Sequence, residues 1–373
     1  IILRGGTYNK GAELKSGTSI SAYGDEKPLF SGGKSIDLSL MKPTERTDAL
    51  VKGVYEINLT DAGITDFGDI TSVLSYNGKI LPLASMPSVG YDGENRGLAL
   101  NETKDLGNGL SEINFTRIKG DTDIYNQNII DKKTDVYVHG VFGIYDNEIL
   151  APVKATQDKN IITNAYSDSL PCSTYKEVCG YDISRECYQL VNCVSFIDKA
   201  GEWYIDRDKG VLYIMPLKNM TGTLSLITEK ICFIKSENAS GIAVSGLSFT
   251  ESLDSAMNFN NCTDISVERC DFSALSVGIK GENCNKVTVE NSEFDSIGYS
   301  AIELSGNENK VSNNLITDTG CLVRTNTQAV RIDGNSCDIS NNVINRNPHN
   351  GILITGGENT VSYNEISNTC YRA

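Results

Sequence analysis

From residue 256 onward the chain repeats itself, and that repeat restricts the fold more than any other property of the sequence. Ala256-Met257-Asn258-Phe259, Gly278-Ile279-Lys280-Gly281, Ala301-Ile302-Glu303-Leu304, Ala329-Val330-Arg331-Ile332 and Gly351-Ile352-Leu353-Ile354 open five units, spaced 22, 23, 28 and 22 residues apart. Each opening is a small residue followed by apolar–variable–apolar alternation, the period of a half-buried strand. A second strand follows in each unit, at Ile265-Ser266-Val267, Val287-Thr288-Val289, Val311-Ser312, Ile339-Ser340 and Val361-Ser362. A third ends on Phe272, Phe294, Ile316, Ile344 and Ile366. Three short strands per unit predict an all-β chain wound as a parallel β-helix, its rungs stacked about 4.8 Å apart. No recurring Leu-x-x-Leu-x-Leu pattern is present, which excludes a leucine-rich repeat.

Stacked rungs pile equivalent residues into ladders. Asn261, Asn283, Asn307 and Asn335 are read as one, just before the second strand. Cys270, Ser292, Asn314, Asn342 and Asn364 are read as another, and Ile279, Ile302, Val330 and Ile352 as the apolar core. Asparagine suits such corners because it tolerates the left-handed conformation and can bond its amide to the next rung. Upstream, Ile231–Phe249 reads as an earlier rung. Gly201–Pro216 reads as a hairpin of two aromatic strands closing on Gly210. Residues 41–200 lack the rung period and are read as an inserted β-rich subdomain. The expected division is first rungs at 1–40, the insertion at 41–200, and the hairpin with further rungs at 201–373. No long amphipathic helix is expected.

Charge and cysteine content bound the setting. Lys+Arg is 33 against 48 Asp+Glu, a net charge of −15, which argues against nucleic acid and anionic membrane surfaces as partners. No apolar run is long enough to span a bilayer, so no membrane insertion is expected. Eleven cysteines are present but only two histidines, His139 and His349. Cys172, Cys179, Cys187 and Cys193 cluster without zinc-type spacing, and local disulfides of unassigned pairing are the preferred reading. N-x-Ser/Thr sequons stand at Asn58, Asn101, Asn114, Asn219, Asn238 and Asn261. Together these features suggest an extracellular or cell-surface glycoprotein; a cytosolic chain with buried thiols is the alternative. Cys262 and Cys284 occupy equivalent positions in adjacent rungs, as a disulfide or as stacked thiols.

Several segments resemble a family of right-handed parallel β-helix proteins that includes glycoside hydrolases, notably family 141 and, more distantly, the β-helical xylosidases of family 120. These are Leu3-Arg4-Gly5-Gly6-Thr7-Tyr8, Ala22-Tyr23-Gly24-Asp25-Glu26-Lys27-Pro28, Ser31-Gly32-Gly33, Gly63-Ile64-Thr65-Asp66-Phe67-Gly68 and the Gly-Glu-Trp-Tyr hairpin at 201–216. Asn347-Pro348-His349-Asn350-Gly351-Ile352 and Val361-Ser362-Tyr363-Asn364-Glu365-Ile366 resemble its late rungs. The resemblance implies a right-handed solenoid with an inserted β subdomain and a carbohydrate as partner. In the family, acidic rungs follow the segment resembling Asn364–Cys370, and those carboxylates have no counterpart here. The family's longer loop after the rung resembling Ala301–Gly306 is also absent. The sequence accordingly reads as a segment of a longer β-helix, and its open ends suggest end-to-end assembly or other glycoprotein subunits as partners.

Glycoside hydrolysis needs two carboxylates on one surface. The outward residues of the first strand are Asn258, Lys280, Glu303, Arg331 and Leu353, with Asp333 just beyond. Glu303 and Asp333 are the candidate catalytic pair. The competing reading is a stabilising charge ladder, with Glu303 held between Lys280 and Arg331. Arg331 and His349 are candidate glycan contacts, although His349 also suits a turn cap. His139 and the lone Trp203 fit packing roles better than sugar binding. Asp/Asn-rich turns could hold calcium, but no repeated spacing defines a loop, and no cofactor is called for. Three functions compete: a structural or glycan-facing β-helix module of a larger secreted glycoprotein, the N-terminal portion of a glycosidase acting on a complex polysaccharide, and a non-catalytic polysaccharide-binding protein.

Overall fold

A computed structural model of the chain describes residues 1–46, 49, 51–86, 98–117, 135–141, 148–157, 160–163 and 189–370. These residues form two units, one of Ile1–Ile36, Thr71–Ile80 and Gly222–Ala373, the other of Asp37–Ile70 and Leu81–Thr221.

The first unit is a parallel β-helix with three faces. Face 1 is an eight-stranded sheet that begins with Ile2–Leu3, Ser19–Ala22 and Ser240–Ser245 and ends with Asp338–Ser340 and Thr360–Ser362. Every pairing along it is parallel. Face 2 runs from Gly6–Tyr8 and Pro28–Ser31 through to Val343–Asn347 and Glu365–Thr369. Face 3 runs from Ala12–Glu13 and Ile234–Glu237 to Gln328–Asp333 and Asn350–Thr355. Two long strands, Ser248–Asn260 and Asp271–Glu282, serve faces 2 and 3 in succession without a break.

Inward side chains stack in columns. Ile279, Ile302, Val330 and Ile352 align in register, as the alternation predicts. On face 2 the rings of Tyr8, Phe30, Phe249, Phe272 and Phe294 stack with centroids 5.2, 5.1, 5.3 and 4.5 Å apart. The column then continues with Ile316, Ile344 and Ile366. Each ring pair adds about 0.5–1.5 kcal/mol to what its burial contributes.

Left-handed residues make the corners. Gly246, Arg269, Asn291, Asn313, Asn341 and Tyr363 hold φ between 51° and 66° where face 1 turns into face 2. From Cys270 onward the residue after each forms the polar ladder, while after Gly246 it is the buried Leu247. The Ser292, Asn314 and Asn342 amides donate to the Oδ1 atoms of Asn314, Asn342 and Asn364, at 3.0, 3.0 and 2.9 Å. The Nδ2 atoms of the three asparagines reach back to the carbonyls of Val289, Val311 and Ile339. The other expected ladder is shifted. Asn261 and Asn283 hold left-handed corners, with φ of 50° and 52°. The bonded series is Asn285, Asn307 and Asn335, whose Oδ1 atoms accept from the amides of Asn307, Asn335 and Gly357. Asparagine serves both roles two residues apart, so spacing alone does not separate them.

A third left-handed column closes face 2. Glu251, Ala274, Ser296, Asp318, Arg346 and Asn368 occupy equivalent positions with φ of 60°, 47°, 57°, 53°, 58° and 51°. An antiparallel sheet of Lys34–Ile36, Leu224–Ile227, Val73–Tyr76 and Lys79–Ile80 docks on this column. Val73 and Ile227 pack on Ala274, and the Ile80 amide donates to Ser296 Oγ at 2.8 Å.

The second unit contains a seven-stranded antiparallel sheet whose central strands include Tyr137–Val141 and Glu148–Gln157. Beside it in sequence, Trp203–Asp206 and Val211–Ile214 form the expected hairpin, which extends to Tyr55–Asn58 and Lys42–Pro43. Gly210 closes the turn at φ 64°, where a Cβ would meet the Phe67 ring at 2.5 Å. The hairpin groups with this unit rather than with the rungs, and residues 71–80 return to the β-helix. Both differ from the sequence division, because the sheets pair segments far apart in the chain. Trp203 is buried with its indole N–H donating to the Leu81 carbonyl at 3.0 Å, a packing anchor. His139 Nε2 lies 2.7 Å from Glu148 within the sheet.

The expected disulfides are not found: no two cysteines among the described residues are bridged. Cys193 is buried in the second unit, and Cys172, Cys179 and Cys187 lie outside the described residues. Cys262 and Cys284 are thiols that each donate to a carbonyl of their own corner, Asn260 and Glu282, at 3.2 and 3.3 Å. Asn58, Asn219, Asn238 and Asn261 are exposed, while the side chains of Asn101 and Asn114 lie outside the described residues. No helix among the described residues is long and apolar enough to cross a membrane.

Candidate functional site: a cleft on face 3

The outward column of face 3 runs Asn258, Lys280, Glu303, Arg331, Leu353 in strict register. Register would let Glu303 pair with the cations on either side. It does not. Lys280 Nζ turns along its own strand to Glu282, at 3.0 Å. Arg331 Nε does the same with Asp333, at 2.9 Å. Residues i and i+2 share a face, so a long cation reaches its own strand's acid as easily as its neighbour's. Glu303 is left with no hydrogen bond or ion pair among the described residues.

Glu303 lines a cleft of about 380 Å³. Asn258, Lys280 and Glu303 form one wall, and Asp254, Ser276 and Tyr299 stand along the corner with face 2. Leu253 and Val277 add apolar surface, and Tyr299 keeps 39% of its own surface open. Asp254 reaches the cleft through a bulge. Ser252 pairs with Leu275 and Ser255 with Val277, so this rung carries one residue more than the next. Chain contacts hold the bulge. The Leu253 amide donates to the Glu229 carbonyl at 2.9 Å, and Ser252 Oγ bridges the Ile231 N–H and C=O at 2.8 Å each. Asp254 Oδ1 accepts from the Ser255 amide at 2.7 Å.

The electrostatics centre on Lys280. Its hydrogen bond to Glu282, and then the charges of Glu282, Glu303 and Asp254, raise its pKa and keep it cationic. A fixed cation thus stands among carboxylates on neighbouring rungs. Asp254 and Glu303 belong to rungs two apart, about 9.6 Å of stacking rise.

The other residues named from sequence lie elsewhere. Asp333 stands opposite Ser305, not Glu303. Thr355 Oγ1 donates to it at 2.6 Å, and that bond together with Arg331 holds its carboxyl below the usual range. Neither Asp333 nor Arg331 lines the cleft. His349 sits in the turn before Asn350–Thr355, its amide bonded to Asn347 Oδ1 at 2.9 Å and its carbonyl accepting from the Cys370 amide at 3.0 Å. Sequence reasoning reached Glu303 and missed Asp254, Ser276 and Tyr299. Its one available signal was length: eight residues separate Phe249 from Met257, and seven separate Phe272 from Ile279. Among the described residues no three His, Cys, Asp or Glu side chains cluster as metal ligands.

A family model described as the right-handed β-helix region matches residues 219–369. The fold is a right-handed parallel β-helix. No curated protein matches the chain in sequence. Among solved structures, one titled "Glycoside hydrolase" superposes with a TM-score of 0.60 at 13% identity, covering 99% of this chain and 88% of that one. The complex of XylC with xylose gives a TM-score of 0.30 at 11% identity, covering 99% of this chain and 58% of that chain. The Gp54 tailspike of Acinetobacter baumannii bacteriophage AP22, in complex with capsular saccharide, gives 0.22 at 8% identity, covering 97% and 52%. At these identities the first likeness is one of fold.

Proposed function

We propose that the chain is the β-helix portion of an extracellular carbohydrate-active protein, and that the face 3 cleft binds a glycan. The observation that carries this reading is Glu303, a carboxylate with no hydrogen bond or ion pair among the described residues, in a cleft that also holds Lys280, Asn258 and Ser276. Fixed polar groups of this kind match the hydroxyls of a sugar, while Tyr299, Leu253 and Val277 offer surface for its C–H faces. The similar structure titled a glycoside hydrolase and the exposed sequons support the reading. The net charge of −15 disfavours polyanionic ligands.

The test is retention on an immobilised panel of neutral and acidic oligosaccharides. Wild type should retain at least one neutral glycan, and Lys280→Ala and Glu303→Gln should release it. A panel with nothing retained overturns the proposal.

Hydrolysis is the second reading. Glu303 and, two rungs away, Asp254, whose Oδ1 is held by the Ser255 amide, provide two carboxylates with different surroundings on one surface. Two rungs of rise, about 9.6 Å, put this pair at the wide limit of the roughly 6.5–9.5 Å that inverting glycosidases use. Release of reducing ends from a retained glycan, abolished by Glu303→Gln, would support it; binding without turnover would reject it.

A further inference from the structure

Glu251 is the one acid in the left-handed column that closes face 2 and is also buried, with 6% of its surface exposed. Among the described residues no cation partners it. Its Oε2 accepts from Ser31 Oγ at 2.8 Å and its Oε1 from Ser75 Oγ at 2.7 Å. Ser31 lies where the chain leaves the rungs, and Ser75 lies in the segment that returns to them. The carboxylate therefore ties together three stretches of the β-helix unit that are remote in sequence.

The neighbourhood is cut to fit it. A Cβ on Gly33 would stand 2.2 Å from Glu251 Oε2, and one on Gly32 would stand 2.7 Å from the Glu251 carbonyl. That carbonyl accepts the Gly32 amide at 3.1 Å. A left-handed φ of 60° costs a glutamate roughly 1–2 kcal/mol relative to ordinary backbone. The stacked rungs hold that state at all six positions of the column, and at Glu251 the clamp adds to them. The next residues are the bulge. Ser252, Leu253, Asp254 and Ser255 carry the extra residue that brings Asp254 into the cleft.

We propose that Glu251 is a positioning residue: clamped by Ser31 and Ser75, it anchors the start of the bulge that delivers Leu253, Asp254 and Ser255 to the glycan cleft. This deepens the proposed function and rests on it for the ligand, but not for the geometry. The clamp sets where the bulge begins, and the contacts at Glu229 and Ile231 set where it ends.

Amide hydrogen exchange reads the geometry without any ligand. In Glu251→Ala the Leu253, Asp254 and Ser255 amides should exchange at least tenfold faster, while the amides of Asn314 and Asn342 in the ladder keep their protection. Glu251→Gln, which keeps the shape and one accepting oxygen, should restore most of it. Ser31→Ala and Ser75→Ala each remove one clamp from an otherwise intact chain and should give intermediate rates. Uniform acceleration across the ladder and the bulge, or unchanged bulge protection in every variant, overturns the proposal. On the glycan panel, Glu251→Ala should lose about tenfold in affinity and Glu251→Gln much less. If Lys280→Ala and Glu303→Gln leave retention unchanged, the cleft reading falls while the exchange result still decides the role of Glu251. If those two variants abolish retention and Glu251→Ala does not, the positioning role falls.

Discussion

Two columns of stacked polar residues run along the same β-helix and do opposite things. At the corner of faces 1 and 2, Ser292, Asn314, Asn342 and Asn364 bond rung to rung, and the asparagine amides also bond back to carbonyls. On the outside of face 3, Lys280 and Arg331 turn away from Glu303 and leave a carboxylate open to the cleft. Both columns come from the same register. What separates them is satisfaction: a buried polar group must be bonded, whereas an exposed one can be left for a ligand. Stability is expected to respond to the first column and binding to the second.

Breaking the interior column should have the largest effect. Asn342 is 1% exposed and its side chain joins Asn314, Val311 and Asn364. Asn342→Ala strands several buried groups and should cost about 3 kcal/mol, read as a lowered midpoint in urea denaturation followed through the β-helix. Glycan affinity at 25 °C should change little. Glu303→Gln should do the reverse: about a tenfold loss of retention with stability within about 0.5 kcal/mol of wild type. If Glu303→Gln destabilises as much as Asn342→Ala, the contrast between the columns is false.

Cys270 heads the interior column and makes it sensitive to alkali. Burial pushes its thiol up to about 12. A pKa raised above the unfolded thiol's value of roughly 8.5 means that the folded state holds the proton more tightly. The stability contributed is complete below about pH 8.5 and is lost as pH rises toward 12. Thermal melts should therefore show a falling midpoint across that window, less steep in Cys270→Ala. At pH 8, iodoacetamide should label exposed Cys370 and spare Cys270.

The smallest effect should come from Asp333. It is bound to Arg331 and Thr355 on a largely open surface, so Asp333→Ala should cost less than about 1 kcal/mol and leave glycan retention intact. A lost glycan would move the site one rung along face 3.

The columns were legible in the sequence to different degrees, for physical reasons. Alternation exposes inward positions directly, so Ile279, Ile302, Val330 and Ile352 and the Asn314–Asn342–Asn364 series could be read in register. The face 3 column was equally readable as residues, yet its pairing was not. Whether Lys280 crosses to Glu303 or runs along its strand to Glu282 is a matter of rotamers, which spacing does not encode. Asp254 was hidden for a different reason: the bulge depends on Glu229, Ile231 and the clamp at Glu251, contacts that cross up to 220 residues of chain. The antiparallel sheet of 34–36, 73–76, 79–80 and 224–227 was missed likewise, since its strands come from three separated segments.

The left-handed corner after face 2 bears on how such a chain can change. Glutamate, alanine, serine, aspartate, arginine and asparagine all occupy it, from Glu251 to Asn368, in one backbone state. The shape is imposed by the rungs above and below, so the side chain is left to drift in chemistry. One rung can hold a buried clamp, the next a packing methyl, the next a hydroxyl that accepts from a docked sheet. The solenoid behaves as a peg-board, where accessories can be hung or removed at intervals of about 4.8 Å without redrawing the board.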